Sequence, residues 1–438
     1  MTFWYIIGII EVVIIKKNVG DTMYEFKTLS NGIRVIGEKI PHLKSVTIGV
    51  WVGNGSRHEE KEVNGISHFI EHMVFKGTQK RSARDIASQI DCVGGMLNAF
   101  TAREYTCFYT KTLDSHARLS LDILSDMIFS PLLSEEDIKL ERNVIYEEIG
   151  MYEDSPEDLV FDLASEAVWG DTPLGRTVLG TKESLANINS DVMRAYMKSH
   201  YTSKNIIVSV VGNYDHSLFE LLEKYLGTQK LSNKMPNMDK GLYVPKNIVR
   251  EKDIEQVQIV ASFKGIDVYD EAAMPLLVFN NVFGSGMSSR LFQNIREKYG
   301  LVYSIGAGHC AYIDCGTFDV SAGMNVDNLE MVCSLVCDEI NRVKREKITK
   351  EEVSVSKEQL KGNYILSAES TNARMQGAGR SLLLDKKIYT QEEMLSKIDA
   401  VTVEDVADVI DTIFDKNTLA LTALGPVKTV DGLFDGLN

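Results

Sequence analysis

A strand-like run at Ser45–Val52 (SVTIGVWV), β-branched and alternating, recurs in the second half of the chain as Gln256–Lys264 (QVQIVASFK). The segments after each run recur as well. A helical pattern near residues 66–77 is matched by Glu271–Phe283, and a helix at Ala83–Cys92 by Ser288–Tyr299. Strand-like residues around Asn98–Thr101 and Tyr105–Thr110 find a counterpart at Thr317–Ala322, and the helix Ser115–Ile128 one at Asn328–Val343. The offset is about 207 residues, far longer than a solenoid unit. A repeat of that length means two related domains, each with strands and helices in the same order. Between them, residues 226–250 are polar and rich in turn formers, including Asn233, Pro236, Asn237 and Pro245. The expected division is a first domain over 23–228, a linker over 229–249 and a second domain over 250–438.

The two copies differ at one place that matters. The first helix of the first copy contains His68-Phe69-Ile70-Glu71-His72, an H-x-x-E-H run. Histidines four residues apart stack on one helix face, at the spacing that lets two nitrogens reach one metal ion. Glu71 falls on the same side, placed to act as a general base. Ile66, Phe69, Ile70 and Met73 make the opposite, apolar stripe. Asn64 is the expected N-cap and Gly77 the expected end. The second copy reads Met274-Pro275-Leu276-Leu277-Val278-Phe279 at this position, with no ligand-type residue. Only the first copy can hold this site.

A catalytic zinc takes three protein ligands and keeps an open position. The donor of the third is expected to be a helix opening at Ser134, with Glu135, Glu136 and Asp137 in its first turn, and running to about Tyr152. It carries Glu141, Glu147 and Glu148. Glu141 and Glu148 are seven apart and share a face, while Glu147 sits off it. This geometry does not say which of the pair touches metal; the other would orient a ligand histidine. A further helix is expected at Asp158–Val168 and a buried strand at Ile206–Val211. Gly284-Ser285-Gly286 lacks the strand–loop–helix setting of a phosphate site and reads as a turn.

Of 438 residues, 44% are hydrophobic and 25% charged, as in ordinary globular proteins. A net charge of -15 excludes nucleic acid as the main partner, and suits a basic peptide substrate. The six cysteines show no C-x-x-C pair, which points to a reducing compartment, the cytoplasm. Thr2–Ile15 is apolar but, at about 14 residues, short for a bilayer span. It lacks the flanks of a signal peptide, and translation is expected to begin at Met23. No firm membrane association is expected.

Together with the motif, several segments resemble the pitrilysin/insulinase family of zinc metallopeptidases. The resemblance is strongest to the branch that contains the β subunit of mitochondrial processing peptidase and its bacterial relatives. These segments are Gly94-Gly95-x-x-Asn98-Ala99, Glu141-Arg142-x-Val144-Ile145-x-Glu147-Glu148, Pro173-Leu174-Gly175-Arg176, Leu179-Gly180-Thr181, Val210-Val211-Gly212-Asn213, Gly284 through Phe292, and Arg296 with Tyr303. The resemblance implies an α+β fold of two domains, each a mainly antiparallel sheet covered by helices. Together they form a half-shell that pairs with an identical or related subunit to enclose a chamber.

It also implies roles: one zinc ion per chain held by His68, His72 and Glu148, with Glu141 supporting and Glu71 as base. Arg296 and Tyr303 match residues that reach toward the scissile peptide. Asn98 and Ala99 match the edge strand along which an unfolded polypeptide substrate lies. Asp158 and Asp162 match acidic residues that read a basic side chain. The implied activity is peptide hydrolysis. The competing class is a non-catalytic partner or core subunit, and such relatives lack part of the motif that this chain keeps.

Overall fold

The computed structural model describes residues 24–384 and 387–438. The expectation for residues 1–22 lies outside the described residues. Strands β1 (Tyr24–Thr28), β2 (Arg34–Lys39), β3 (Ser45–Val52), β4 (Met96–Thr101), β5 (Thr106–Leu113) and β6 (Ile206–Gly212) form one sheet, in the order β1-β2-β6-β3-β5-β4. Strands β7 (Ile248–Glu251), β8 (Gln256–Lys264), β9 (Val302–Ala311), β10 (Gly316–Asn325) and β11 (Ala420–Gly425) form a second, in the order β7-β11-β8-β10-β9. All pairs are antiparallel except β2 with β6 and β7 with β11. Without β1 the two orders coincide strand for strand, and the parallel pair falls at the same place. The repeat in the sequence is therefore a repeat of topology, and the fold is α+β.

The expected helices form, with ends displaced by a few residues. They run over Ala117–Phe129, Glu135–Glu153 and Pro156–Trp169 in the first half, and over Ala273–Phe283 and Leu329–Glu346 in the second. The segment expected at Ser288–Tyr299 contains a π-helical stretch, Phe292–Glu297. Gly284–Gly286 is a turn. Among the described residues no helix is long and apolar enough to cross a membrane.

The central strands are buried along nearly their whole length, β3 and β6 in the first sheet and β8 and β11 in the second. Strands buried on alternate residues have one covered face; continuous burial requires cover on both. Each half covers one face of its sheet with its own helices and borrows the cover of the other. Helix Thr371–Leu383, from the second half, lies on the first sheet, where fully buried Met375 joins Trp51, Cys107, Ile207 and Val211. Thr371 and Thr47 hydroxyls meet at 2.9 Å and Arg374 pairs with buried Glu38. In return, helix Pro156–Trp169 places Leu159, Val160 and Ala164 against Val260 and Leu424 of the second sheet.

Residues 230–247 run between the sheets with neither helix nor strand. They are nonetheless anchored. The Tyr243 hydroxyl donates to the carbonyls of Thr418 (2.8 Å) and Ser262 (3.2 Å), and its ring meets Trp169 edge-on at 5.4 Å. Buried Arg57 bonds the Asp239 carbonyl at 2.9 Å and pairs with Glu104 and Asp314, each at 2.5 Å.

Candidate metal centre

The motif helix spans Ile66–Met73 and opens at Gly65, whose φ of 93° is left-handed. A Cβ there would strike the backbone of Leu179 and Gly180, and one at Gly180 (φ 76°) would strike Asn64. Two glycines thus let two segments touch, which explains the Leu179-Gly180-Thr181 motif. The expected cap is corrected here. Asn64 does not cap the helix; its carboxamide donates to Glu59 (2.8 Å) and to the Thr177 carbonyl (3.1 Å). The first N–H groups are taken by Glu59, a buried carboxylate that accepts from Gly65 N (2.6 Å) and Ser67 N (2.8 Å). Negative charge at a helix N-terminus is favourable, so Glu59 does better what the asparagine was expected to do. The helix also ends earlier than expected, at Met73, because Phe75 and Lys76 bond the carbonyls of His72 and Met73 in tight turns. Gly77 begins the bridge to Ser82 beyond it.

Helix Glu135–Glu153 is capped by Ser134, whose hydroxyl accepts from Asp137 N at 3.1 Å. It packs across the motif helix and presents Glu141 and Glu148 to it, while Glu147 is exposed. The Nε2 atoms of His68 and His72 lie 3.1 Å apart, and each is 3.6 Å from Glu148 Oε2. These three ligand atoms lie within 4.8 Å of one another. Glu141 stands behind them: its Oε1 is 2.9 Å from His72 Nδ1, and its Oε2 pairs with Lys76.

Glu141 accepts a hydrogen bond only if His72 Nδ1 carries the proton. That tautomer leaves His72 Nε2 with a lone pair facing a second imidazole nitrogen and a carboxylate oxygen. Acceptors converge on one point, and a cation is what such a point fits. Two imidazoles and one carboxylate suit zinc in kind and number.

The electrostatics favour positive charge at this point, whether proton or metal. Burial, aided by His72, holds the His68 pKa down at about 3, so its ring stays neutral. Burial also opposes charge on His72, but the Glu141 hydrogen bond and the Glu148 and Glu71 carboxylates outweigh it and raise its pKa. Burial raises Glu148. For Glu141 burial is outweighed by His72 and Lys76, and its pKa falls.

Glu71 sits beside the cluster, and its Oε2 accepts from the Thr101 hydroxyl at 2.5 Å. Burial raises its pKa, with Thr101 opposing. A carboxylate poised upward is what a general base operating near neutral pH requires. Thr101 was not singled out from the sequence. The available signal was the period of two that puts it on the face of β4 shared by Ala99.

β4 is the last strand of its sheet, so among the described residues one of its edges is unpaired. Asn98 is exposed there, and its side chain accepts from the Ala99 N–H at 2.8 Å. Asp158 and Asp162 lie on helix Pro156–Trp169 and already have partners: the Ser155 hydroxyl at 2.6 Å and Arg103 at 3.4 Å. Arg296 and Tyr303 belong to the second half. Arg296 stacks on Phe292 at 4.7 Å and lies 6.0 Å from the ring of Tyr303, which is 67% exposed. The structure brings these two together; among the described residues neither bonds to the histidine cluster.

An H-x-x-E-H helix crossed by a glutamate-bearing helix, on a duplicated α+β scaffold, defines the class as metallopeptidase-like. The chain belongs to the insulinase family, peptidase family M16. Residues 34–182 match the family's Insulinase (Peptidase family M16) model, and residues 187–360 match the Peptidase M16 inactive domain. An uncharacterized zinc protease of Bacillus subtilis, YmxG, is 43% identical over 399 residues, covering 91% of this chain and 97% of that one. One from Streptomyces coelicolor is 36% identical, covering 92% and 89%. The fold is shared with the crystal structure of a protease from Helicobacter pylori, at a TM-score of 0.86 and 22% identity over 92% of this chain and all of that one. A Pseudomonas fluorescens structure described as a peptidase M16 inactive domain also scores 0.86, at 17% identity over 93% and 98%.

Proposed function

We propose that this protein is a zinc-dependent metalloendopeptidase that hydrolyses peptides or unfolded segments. The observation that carries the reading is the convergence of His68, His72 and Glu148 within 4.8 Å, with Glu71 alongside. His68, His72 and Glu148 would hold one zinc ion per chain. When bound, the ion supplies Lewis acidity that brings the pKa of water toward neutrality. Glu141 fixes the tautomer and tilt of His72. Glu71 takes the proton of the attacking water and returns it to the leaving amine. Arg296 and Tyr303 reach the substrate from the second half, and the Tyr303 hydroxyl helps stabilise the developing oxyanion.

The open edge of β4 supports binding of an extended chain by strand addition at Asn98 and Ala99. Main-chain hydrogen bonds then provide affinity with little demand on sequence. Asp158 and Asp162 add a preference for a basic side chain. The subunit works as a homodimer or with a related partner, closing a processing-peptidase-like chamber. Six free cysteines support a reducing, cytoplasmic setting.

The test is Glu71→Gln on the purified protein. Zinc content stays at one per chain and cleavage of an unfolded peptide falls about 10³-fold. Normal cleavage by this variant, or cleavage by wild type that survives complete zinc removal, sinks the proposal.

A further inference from the structure

Glu141 is only 5% exposed, and a buried carboxylate is stable only when its charge is compensated. Both of its oxygens are engaged. Oε1 faces His72 Nδ1, and Oε2 pairs with Lys76, whose side chain is 36% exposed and reaches in from the rim. Lys76 lies four residues after His72, one turn further along and just past the helix end, with its N–H on the Met73 carbonyl. One carboxylate is therefore gripped by two groups a single turn apart. Glu148, two turns along the same helix, faces the two Nε2 atoms.

The helix thus offers two chemically identical groups on one face, and its spacing alone does not choose between them. The lysine does. We infer that Lys76 is a positioning residue that selects the metal's carboxylate: it holds Glu141 behind His72 and so leaves Glu148 as the third ligand. Without that cation, Glu141 would be a buried anion with one free oxygen beside a metal site, and the site would lose both its oriented histidine and its unique third donor. The ion pair also ties the end of the motif helix to helix Glu135–Glu153, and so sets the gap that Glu148 spans. This inference rests on the zinc reading above.

The experiment measures zinc affinity of the full chain by competition with a chelator, for wild type, Lys76→Met, Lys76→Arg, Glu141→Gln and the Lys76→Met/Glu141→Gln pair. Lys76→Met is expected to bind zinc about 10- to 100-fold more weakly, the range for lost support of a ligand histidine. Lys76→Arg keeps the charge and stays within about threefold of wild type. In the Glu141→Gln background, Lys76→Met costs nothing more, because its effect travels through Glu141. Cobalt-loaded Lys76→Met shows a visible absorption band altered in shape, as a changed donor set requires. Metal-free Lys76→Met melts below wild type, as a buried carboxylate left without its cation requires; the altered cobalt band, which a lost ion pair alone would not move, separates the role from a merely structural one. Wild-type zinc affinity in Lys76→Met, or losses that simply multiply in the double variant, overturn the inference. Should Lys76→Met fail to fold, a folded Lys76→Arg that releases zinc does the same. A wild-type protein that takes up no zinc fails the metal reading itself, which these outcomes keep distinct.

Discussion

Under the proposed function, Thr101 and Glu71 would join the two things a peptidase must coordinate, the strand that takes the substrate and the base that acts on it. Thr101 sits on edge strand β4, and its hydroxyl holds Glu71 Oε2 at 2.5 Å. Substitution by valine keeps the shape and the backbone but removes the donor. Thr101→Val is expected to lower kcat about tenfold, as one lost hydrogen bond of roughly 1.4 kcal/mol would. KM stays within about twofold, because the strand edge is untouched. Steady-state kinetics on one peptide reads both; a raised KM with normal kcat would assign Thr101 to binding instead. Much of this residue-scale chemistry was legible in the chain. Helical spacing alone aligned His68, Glu71 and His72, and set Glu141 and Glu148 apart from Glu147. What spacing omits is everything supplied from another segment: the Thr101 donor, the Lys76 grip on Glu141, and the Glu59 cap.

Helix ends show the same division. Serine or threonine followed three residues later by an acidic residue is a local signal, and Ser134, Thr349, Thr390 and Thr402 all cap as such a signal predicts. The motif helix breaks the rule because its cap comes from Glu59, whose bonds follow the tertiary fold. Glu352 combines both kinds of contact. It caps helix Lys350–Ser367 through Thr349 N at 2.8 Å and pairs with Arg290 at 2.7 Å. Burial alone would raise its pKa, but the Arg290 bond and the Thr349 contacts outweigh it and hold the value at about 2. A folded-state pKa below the unfolded value, roughly 4.3, stabilises the fold above that value. The contribution is lost as pH falls from about 4 toward 2. With the side chain 30% exposed, solvent screening reduces it to about 1–2 kcal/mol. Glu352→Gln should therefore lower the urea midpoint at pH 7, and the gap to wild type should shrink as pH falls toward 2. A gap that persists undiminished at the low end would mean that the carboxylate's charge is not the source.

At the scale of the molecule, the sequence repeat foretold two sheets of equal topology but not that each lends a helix to the other. The strands carried the evidence: a run as apolar as Ile206–Val211, broken only by Ser209 and buried throughout, must be covered on both faces. Which helix covers the far face is a long-range choice that no local period records. The exchange means that neither sheet keeps a closed core alone, so the two halves should unfold as one unit. The tryptophans are placed to test this. Trp51 lies under the helix from the second half, its Nε1 donating to Ser209 Oγ at 3.0 Å. Trp169 ends the helix given in return, packed on Tyr243 and Tyr312. With Trp4 changed to phenylalanine, Trp51→Phe leaves a reporter of one exchanged face, and Trp169→Phe a reporter of the other. Their urea transitions, each corrected for its own stability change, should coincide in midpoint and slope. Met375 offers a perturbation common to both reporters, because the second half's helix buries it fully in that face. Met375→Ala leaves a cavity at that single face, at a cost of about 2–5 kcal/mol. In a cooperative molecule the Trp169 reporter must register the loss as fully as the Trp51 reporter does. If it does not move, the halves are separate folding units and the exchanged helices are only appended to them.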